Sequence, residues 1–201
     1  MRVLPAGDRA LLVELDGLDD VLGYYAALSA DPPDGVIDIV PAARTVLVTT
    51  RGDLAALSRA LRDLTPARDR RTSGDLVELP VVYDGEDLDD VAGLLGCTAA
   101  EVIARHTAGE WTVAFSGFAP GFGYLTSTGD WDIPRRSSPR TKVPAGAVAL
   151  AGEFSGVYPR ESPGGWQLIG RTSVQIFDAS REPAALFHPG RRVRFVDAGR
   201  G

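Results

Sequence analysis

The sequence predicts an α+β protein in which a small α/β unit is followed by a β-rich unit. Residues 1–65 read as strands that alternate with two amphipathic helices, whereas residues 111–196 read as short β-prone runs. Between Gly117 and Gly170, ten glycines and six prolines fall within 54 residues. Closely spaced short strands that are separated by glycine and proline residues indicate a β-barrel or a β-sandwich.

The first unit is predicted to have the element order β-α-β-β-α. Apolar runs rich in β-branched residues predict its strands, and leucines that recur every three or four residues predict its helices. In chain order, the predicted elements are a strand over Arg9–Leu15, a helix over Asp19–Ser29, an antiparallel hairpin of Val36–Val40 with Thr45–Thr50, and a helix that Asp53 caps and that ends before Pro66.

A domain boundary is predicted from a change in composition. The polar, arginine-rich stretch Pro66–Asp75 reads as a linker or an exposed loop, and the alternating run Leu76–Val82 reads as the next strand. We place the boundary near residue 78, which gives an N-terminal domain over residues 1–78 and a C-terminal domain over residues 79–201.

The C-terminal domain is predicted to open with two short helices before its strands. The acidic stretch Glu86–Asp90 reads as a solvated helix start, and we assign it no chemistry. Thr98 and Glu101 have the spacing of a capping box for a helix to Arg105. The predicted strands that follow are Trp111–Phe115, Ala147–Ala151, Trp166–Ile169, Val174–Phe177 and Arg192–Val196.

Composition excludes several classes of protein. The 201 residues are 44% hydrophobic and 24% charged, which is typical of an ordinary globular protein and not of a disordered tail. The net charge of −6 argues against a nucleic-acid partner, since such proteins neutralise phosphates with basic residues. One cysteine and two histidines make a structural metal site unexpected.

The sequence also bears on localisation. A proline and then an aspartate interrupt the apolar stretch of Met1–Asp8, so no signal peptide is predicted there. The long uncharged run Trp111–Gly129 is broken by glycines and a proline, which does not suit a membrane span. We therefore expect a cytoplasmic protein without a membrane partner.

Three glycine- and proline-rich motifs point to a site for small anions. Residues 111–201 hold 11 basic against 7 acidic residues. Glycine lets backbone N–H groups approach a ligand, and arginine offers a planar fork to carboxylates and phosphates. The same motifs are also compatible with plain β-turns that carry solvated arginines. The motifs are Gly117–Leu125, Pro139–Gly146, and Tyr158–Arg160 running into Pro163–Thr172.

Single residues add weaker signals. Lys142 is the only lysine beside twenty arginines, which indicates either a specific role for its ammonium group or chance. His106 follows a predicted helix and is a candidate general base, although a histidine at a helix end commonly binds the terminal carbonyls instead. No G-x-S-x-G elbow, Cys/His pair or phosphate-binding loop is present, so the sequence does not support a self-contained hydrolase.

These motifs, together with the opening Gly7–Val13, the pair His106–Thr107, Pro134–Arg136 and Gly152–Glu153, resemble the family that includes the 5-oxoprolinase B subunit, the Kip-type kinase inhibitor and allophanate hydrolase subunit 1. The region of resemblance is the carboxyltransferase subdomain C/D, and it covers nearly the whole chain. It implies an α+β fold made of a small ferredoxin-like α/β N-terminal domain and a cyclophilin-like β-barrel.

The resemblance also implies a function. It implies a protein that cleaves 5-oxoproline to L-glutamate with ATP, and that is active only with the 5-oxoprolinase A subunit and with the 5-oxoprolinase C subunit, which is the carboxyltransferase subdomain A/B protein. ATP is expected at the assembled complex. Two alternatives remain open: a regulatory protein that inhibits a sensor histidine kinase, and a component of an allophanate-type hydrolase or carboxyltransferase.

The resemblance and the motifs together give a set of candidate site residues. The candidates for catalysis or for binding of anionic groups are His106, Arg140, Lys142 and Arg160. The candidates for substrate binding are Phe118, Pro120, Gly121, Phe122, Tyr124, Gly164, Gly165, Trp166 and Gln167.

Overall fold

A computed structural model of the chain describes residues 1–67 and 76–199 and divides it into two compact units, Met1–Arg71 and Thr72–Gly201. The boundary predicted near residue 78 falls inside the first strand of the second unit. Residues 68–75 of the predicted linker lie outside the described residues.

The first unit is a four-stranded antiparallel sheet with two helices. Its strand order is β1-β2-β4-β3, so β4 lies between β2 and β3, the two strands that helix α1 connects. This is the split β-α-β arrangement of ferredoxin-like units, with β1 at the edge beside β2. The elements are β1 (Arg2–Pro5), β2 (Ala10–Glu14), α1 (Leu18–Ala30), β3 (Val36–Pro41), β4 (Thr45–Thr50) and α2 (Leu54–Asp63).

The predicted elements of this unit are confirmed, with one strand added. The side chain of Asp53 accepts hydrogen bonds from the Ala55 and Ala56 N–H groups, as expected of a helix cap. Leu57 and Leu61 of α2 are buried against Val46 and other apolar residues of the sheet. Strand β1 is absent from the prediction, since its four residues are too few to show a pattern.

The second unit is a nearly closed β-barrel with two helices and a small separate sheet. The seven-stranded sheet has the order β12-β9-β10-β7-β6-β13-β5, in which only β5 and β13 are parallel. The elements are β5 (Leu76–Val81), α3 (Leu88–Leu95), α4 (Ala99–Ala108), β6 (Trp111–Ser116), β7 (Gly123–Thr126), β8 (Arg140–Val143), β9 (Ala147–Ala151), β10 (Phe154–Val157), β11 (Ser162–Gly164), β12 (Gln167–Arg171) and β13 (Arg192–Asp197).

Two backbone hydrogen bonds join the outermost strands of this sheet. The Val82 N–H donates to the Arg171 carbonyl at 2.8 Å, and the Arg171 N–H donates to the Val82 carbonyl at 2.9 Å. Gly85 then passes so close to β12 that a Cβ there would overlap the backbone of Leu168 and Ile169. This contact fixes the start of α3 against β12.

The barrel strands bury apolar side chains on both faces. Strand residues point alternately to opposite faces. The inner face of β9 and β10 carries Val148, Leu150 and Val157, which join one core with α3 and α4. Their outer face carries Ala149, which belongs to a second apolar cluster together with Tyr158, the residue after β10. The strands therefore present a second buried surface outside the barrel core.

The predicted fold class is confirmed, but individual strands differ. The capping box of Thr98 and Glu101 is present, and its helix runs to Ala108. The strand predicted over Val174–Phe177 is wrong, because that stretch makes one isolated bridge, from Phe177 to Ala185. Among the described residues, no helix is long and apolar enough to cross a membrane.

Candidate functional site

The loop between β6 and β7 holds an exposed phenylalanine on a strained turn. The Ala119 N–H donates to the Gly117 carbonyl at 2.7 Å, and Phe118 between them has a φ of +65°. This is a γ-turn of the rarer hand. A positive φ is an outlier for a bulky residue, and the Phe118 side chain is also exposed. Backbone strain of this kind concentrates at functional sites, which directs attention to the surface around Phe118.

Phe118 belongs to a group of five aromatic rings on the outer side of the barrel. The ring centroids of Phe118 and Phe122 are 5.4 Å apart, those of Phe122 and Trp166 are 5.3 Å apart, and both pairs meet edge to face. This geometry is the favoured one for aromatic pairs. We call the five rings the aromatic face; they are Phe118, Phe122, Tyr124, Tyr158 and Trp166.

Small residues on β9 and β10 make room for these rings. Ala149 belongs to the same apolar cluster as Phe122 and Trp166. A Cβ on Gly156 would lie 2.9 Å from Cζ of Phe122 and 3.1 Å from Cζ3 of Trp166. The glycine therefore allows the rings to lie directly on the strand.

The segment Pro134–Arg136, which we call the arginine-bearing segment, is held beside the aromatic face by hydrogen bonds. The Arg136 N–H donates to the Gly165 carbonyl at 2.8 Å, and Nε2 of Gln167 donates to the Pro134 carbonyl at 3.0 Å. These two bonds hold the main chain on either side of Arg135. The predicted residues Gly165 and Gln167 thus position this arginine.

Arg135 acts electrostatically on two tyrosines of the aromatic face. Burial raises the pKa of the Tyr124 and Tyr158 hydroxyls, and the positive charge of Arg135 partly offsets that rise in both. The guanidinium group of Arg135 is exposed and forms no hydrogen bond or ion pair with the described residues. It is therefore an uncompensated cation next to two phenol groups.

Asp87 is the centre of an ionic cluster at the start of β12, next to Gln167. Its side chain is 2% exposed and accepts from Arg136 at 2.5 Å, from both Nη atoms of Arg140 at 2.8 Å, and from the Leu168 N–H at 2.7 Å. Burial by itself would raise the pKa of the Asp87 carboxyl. The hydrogen bonds from Arg140 and Leu168 and the charges of both arginines outweigh it and lower that pKa.

Arg140, a predicted anion-binding residue, is part of this ionic cluster. The Glu86 carboxylate accepts from Nε of Arg140 at 3.3 Å and from its Nη2 at 3.0 Å. Together with Asp87, these bonds engage all three guanidinium nitrogens. Arg140 thus serves within the protein as a partner for Asp87 and Glu86.

Lys142 and Arg160, the other predicted cations, lie on the surface. Nζ of Lys142 is 3.3 Å from Oε1 of Glu161, and both side chains are exposed. The Arg160 side chain is exposed and has no hydrogen bond or ion pair with the described residues. The predicted role of Lys142 and Arg160 remains a prediction.

His106 lies in the barrel core, on the opposite side of the sheet from the aromatic face. Its Nδ1 is 2.7 Å from the Tyr83 hydroxyl, and its Nε2 is 2.9 Å from Oγ of Ser155. The ring stacks on Phe195 at 4.2 Å. Complete burial lowers the pKa of His106 to about 3, so the imidazole is neutral. The structure does not bring His106 to the other predicted site residues.

Most of the predicted substrate-binding residues do meet at one place. Pro120 and Gly121 lie in the loop with Phe118, and Gly164 lies against the hydroxyl of Tyr158. Two important residues are missing from the predicted set, Asp87 and Arg135. An aspartate at a helix start usually caps the helix, so the sequence holds no signal for the role of Asp87. Arg135 is part of a recognised motif, but nothing there separates it from its neighbours.

The described residues contain no group of three or more His, Cys, Asp or Glu side chains placed to hold a metal ion. Of the aromatic face, Phe118 is exposed and Tyr124 is half-buried, whereas Phe122, Tyr158 and Trp166 are 1%, 2% and 5% exposed. What the site offers a ligand is therefore the exposed edge of the aromatic face and the exposed guanidinium group of Arg135, which suit a small molecule that carries a negative charge.

The chain belongs to the family described as "Carboxyltransferase domain, subdomain C and D", whose model matches residues 1–187. It is 39% identical to the 5-oxoprolinase B subunit of Escherichia coli O157:H7, over 97% of this chain and 95% of the relative. It is 34% identical to the 5-oxoprolinase B subunit of Bacillus subtilis (strain 168), over 94% of this chain and 90% of the relative.

Solved structures agree with this fold. TTHA0988 is 37% identical with a TM-score of 0.77, and the match covers 96% of this chain but only 40% of that longer chain. The conserved uncharacterized protein PH0987 from Pyrococcus horikoshii is 32% identical with a TM-score of 0.60, and 98% of each chain is covered. The urea amidolyase of K. lactis has a TM-score of 0.78 at 19% identity over 98% of this chain and 15% of that one, which shows the fold alone.

Proposed function

We propose that this chain is part of a 5-oxoprolinase complex that cleaves 5-oxoproline to L-glutamate with hydrolysis of ATP. The observation that carries the proposal is the 39% identity to a 5-oxoprolinase B subunit over 95% of that relative's length. The exposed side chains of Phe118 and Arg135 support it, because 5-oxoproline is a small ring with one carboxylate.

We place ATP on another protein of the complex. A nucleotide triphosphate needs several cations or free backbone N–H groups around its phosphates. Here Arg136 and Arg140 are neutralised by Asp87 and Glu86. The Ala119 and Phe122 N–H groups of the β6–β7 loop are bonded within that loop. The arginines bound to Asp87 and the β6–β7 loop therefore do not fit an ATP site.

We further propose that the chain works with the 5-oxoprolinase A subunit and with the 5-oxoprolinase C subunit, the carboxyltransferase subdomain A/B protein. The described residues include no nucleophile with an adjacent general base on the aromatic face, and the hydrogen-bonded side chains of Ser155, His106 and Tyr83 are closed to solvent. Catalytic groups supplied by a partner protein would complete such a site. The complex is expected to act in the cytoplasm.

The test is phosphate release from ATP that depends on 5-oxoproline. The chain is mixed with the A and C subunits of its own organism, and each of the three proteins is omitted in turn. Activity that needs all three supports the proposal. Activity that persists without this chain contradicts it, as does a complete mixture that assembles but releases no phosphate.

The exposed Phe118 favours a second candidate, a regulatory protein that binds and inhibits a sensor histidine kinase. An aromatic side chain that is 58% exposed on a loop tip is typical of residues that dock into a protein partner. This candidate predicts that the chain lowers the autophosphorylation rate of a histidine kinase and adds nothing to ATP turnover by the A and C subunits. The allophanate-type hydrolase has no comparable support among the described residues.

A further inference from the structure

We propose that the exposed ring of Phe118 is the anchor by which this chain binds a partner protein, and that the ring enters an apolar pocket bordered by carboxylates on that protein. The identity of the partner rests on the proposed function: it is the 5-oxoprolinase C subunit. The inference assigns the contact between the two proteins to one loop of this chain, Gly117–Phe122.

The backbone of Phe118 is held in a conformation that costs free energy. Its φ is +65°, and the Ala119 N–H donates to the Gly117 carbonyl at 2.7 Å to close the turn. A single exposed apolar side chain would need no explanation by itself. Phe118, however, combines a φ that bulky residues rarely adopt with a side chain that is 58% exposed. Backbone strain of this kind is concentrated at sites where proteins bind other molecules.

Hydrogen bonds and ring contacts fix the loop that carries Phe118. The Gly117 N–H donates to the Phe122 carbonyl at 3.2 Å, and the Phe122 N–H donates to the Ala119 carbonyl at 2.9 Å. The ring of Phe118 meets the rings of Phe122 and Tyr158 edge to face, at centroid distances of 5.4 Å and 6.1 Å. A side chain that is already held in place loses less conformational entropy when it binds a partner.

A second loop packs against this turn at Gly121. A Cβ on Gly121 would lie 2.5 Å from Cβ of Phe177, so the two loops are in direct contact there. Phe177 belongs to a loop that the side chain of Arg181 closes. The guanidinium group of this arginine donates to the Ile176 carbonyl at 3.2 Å and to the Ala184 carbonyl at 3.1 Å. Packing therefore supports the turn in addition to its own hydrogen bonds, which keeps the exposed ring in one place.

The shape of this surface favours a protein over a small molecule as the ligand of Phe118. Phe122, Tyr158 and Trp166 are 1%, 2% and 5% exposed, so a small molecule can reach little of these rings. Phe118 is the most exposed ring of the aromatic face. A pocket on another protein can enclose such a projecting ring and exclude water from it. Aromatic residues in pockets of this kind are typical of those that carry most of the binding energy of an interface.

A solved relative indicates that the partner is a permanent one. In TTHA0988, which is 37% identical to this chain, the matching region makes up only 40% of a longer chain. The counterpart of this chain is therefore joined covalently to further protein there and stays beside it. A kinase that is bound only during regulation does not need such a join. Under the proposed function, the corresponding separate protein is the C subunit, the carboxyltransferase subdomain A/B protein.

Two arginines next to the aromatic face determine the charge that we expect around the partner's pocket. Arg135 and Arg160 are exposed and form no ion pair with the described residues. The main chain beside Arg135 is hydrogen-bonded to Gly165, the residue before Trp166. Arg160 follows Tyr158 by two residues. Cations without a counter-charge attract carboxylates of a partner and speed association, so we expect acidic residues around the pocket that receives the ring.

The experiment measures binding of this chain to the C subunit of its own organism by surface plasmon resonance. Phe118→Ala is expected to raise Kd about thirtyfold or more, mainly through faster dissociation, since this is the range for loss of an interface anchor. Phe118→Leu, which keeps an apolar side chain, should recover part of the loss. Leu94→Ala is the matched control, because Leu94 is 51% exposed on α3, and it should bind as tightly as the wild type.

The contribution of charge is tested separately with the double variant Arg135→Gln/Arg160→Gln. We expect it to lower the association rate at low salt and to reduce the dependence of that rate on salt, with less effect on dissociation. Arg51→Gln, an exposed arginine in the first unit, is the matched control. An association rate that is the same in the double variant and in the wild type would overturn the carboxylate border of the pocket.

Three results would overturn the inference: an unchanged Kd in Phe118→Ala, an equal loss in Leu94→Ala, or no binding of the wild type to the C subunit. Self-association that Phe118→Ala abolishes, or binding to a histidine kinase in place of the C subunit, would also overturn it, because each assigns Phe118 to another partner. The proposed function fails separately if the assembled complex releases no phosphate with 5-oxoproline. Weaker binding of Phe118→Ala to the C subunit would still support the inference in that case.

Discussion

Asp87 and Arg140 form a bidentate ion pair, in which each Nη atom of the arginine lies 2.8 Å from a different carboxylate oxygen. Asp87 occupies the position before α3 at which an aspartate side chain usually caps the helix, but it makes no such cap. Its carboxylate instead binds Arg136, Arg140 and the Leu168 N–H. The pair therefore joins the start of α3 to β12 and to the arginine-bearing segment.

Asp87→Asn is expected to lower the free energy of unfolding of the second unit by about 3–5 kcal/mol, because it leaves Arg136 without a counter-charge and leaves Arg140 with the exposed Glu86 alone. All three tryptophans lie in this unit, so their fluorescence during urea unfolding reports its stability. Asp89→Asn is the control, since Asp89 is exposed in the first turn of α3. Equal effects of the two substitutions would contradict a special role for Asp87.

His106 is expected to make the protein less stable as the pH falls below 6.5. The pKa of His106 is about 3 in the folded state, whereas an unfolded histidine titrates near 6.5. Between these values the unfolded chain binds a proton that the folded chain excludes, so the free energy of unfolding rises with pH there. The expected loss from pH 7 to pH 5 is about 2 kcal/mol.

The measurement is urea unfolding at several pH values for the wild type, His106→Gln and His188→Gln. His106→Gln is expected to be less stable at pH 7, because it loses contacts in the core, but its stability should depend less on pH below 6.5. His188→Gln removes the other histidine and should keep the wild-type dependence. A wild-type slope that persists in His106→Gln would show that other groups cause it.

The sequence predicts long, regular elements well, and the structure shows why it misses others. The predicted strand Thr45–Thr50 has the observed bounds of β4, because five of its six residues are β-branched. Strands β7, β8, β10 and β11 are absent from the prediction. They are three or four residues long, and three of them include glycine, so their strand conformation comes from pairing with neighbours.

The candidate site is predictable only in part, for a similar reason. Glycine- and aromatic-rich motifs identify a crowded surface, so Phe118, Phe122, Tyr124 and Trp166 can be found from the sequence. Which arginines are free to bind a ligand depends on where Asp87 lies, because the arginines that pair with its carboxylate are already neutralised. Asp87 and Arg140 are 53 residues apart, and no local pattern connects them.

Gly164→Ala is expected to disturb the aromatic face, whereas Gly165→Ala is not. A Cβ on Gly164 would overlap the hydroxyl of Tyr158, so the tyrosine would have to move. A Cβ on Gly165 would meet only Pro139 at 3.8 Å and the Arg136 carbonyl at 3.9 Å, which are ordinary contacts. We expect Gly164→Ala to lower stability by about 1–3 kcal/mol and Gly165→Ala to be neutral or slightly stabilising.

Urea unfolding monitored by tryptophan fluorescence again provides the measurement, with near-ultraviolet circular dichroism as a probe of tyrosine and tryptophan packing. The spectrum of Gly164→Ala should differ from that of the wild type, while Gly165→Ala should match it. Identical behaviour of the two variants would mean that Tyr158 adjusts without loss, and that its position against Gly164 does not define the aromatic face.

Phe118→Gly and Phe118→Ala separate the strain of the γ-turn from the contacts of the ring. Both substitutions remove the ring, but only alanine keeps a Cβ at a φ of +65°. We therefore expect Phe118→Gly to be more stable than Phe118→Ala by about 1 kcal/mol, in urea unfolding of the second unit. Both variants should lose 5-oxoproline turnover to the same extent in the assembled complex if Phe118 takes part in the site, because both lack its exposed ring. Equal stability of the two variants would show that the turn is unstrained, and undiminished turnover in both would exclude Phe118 from the site.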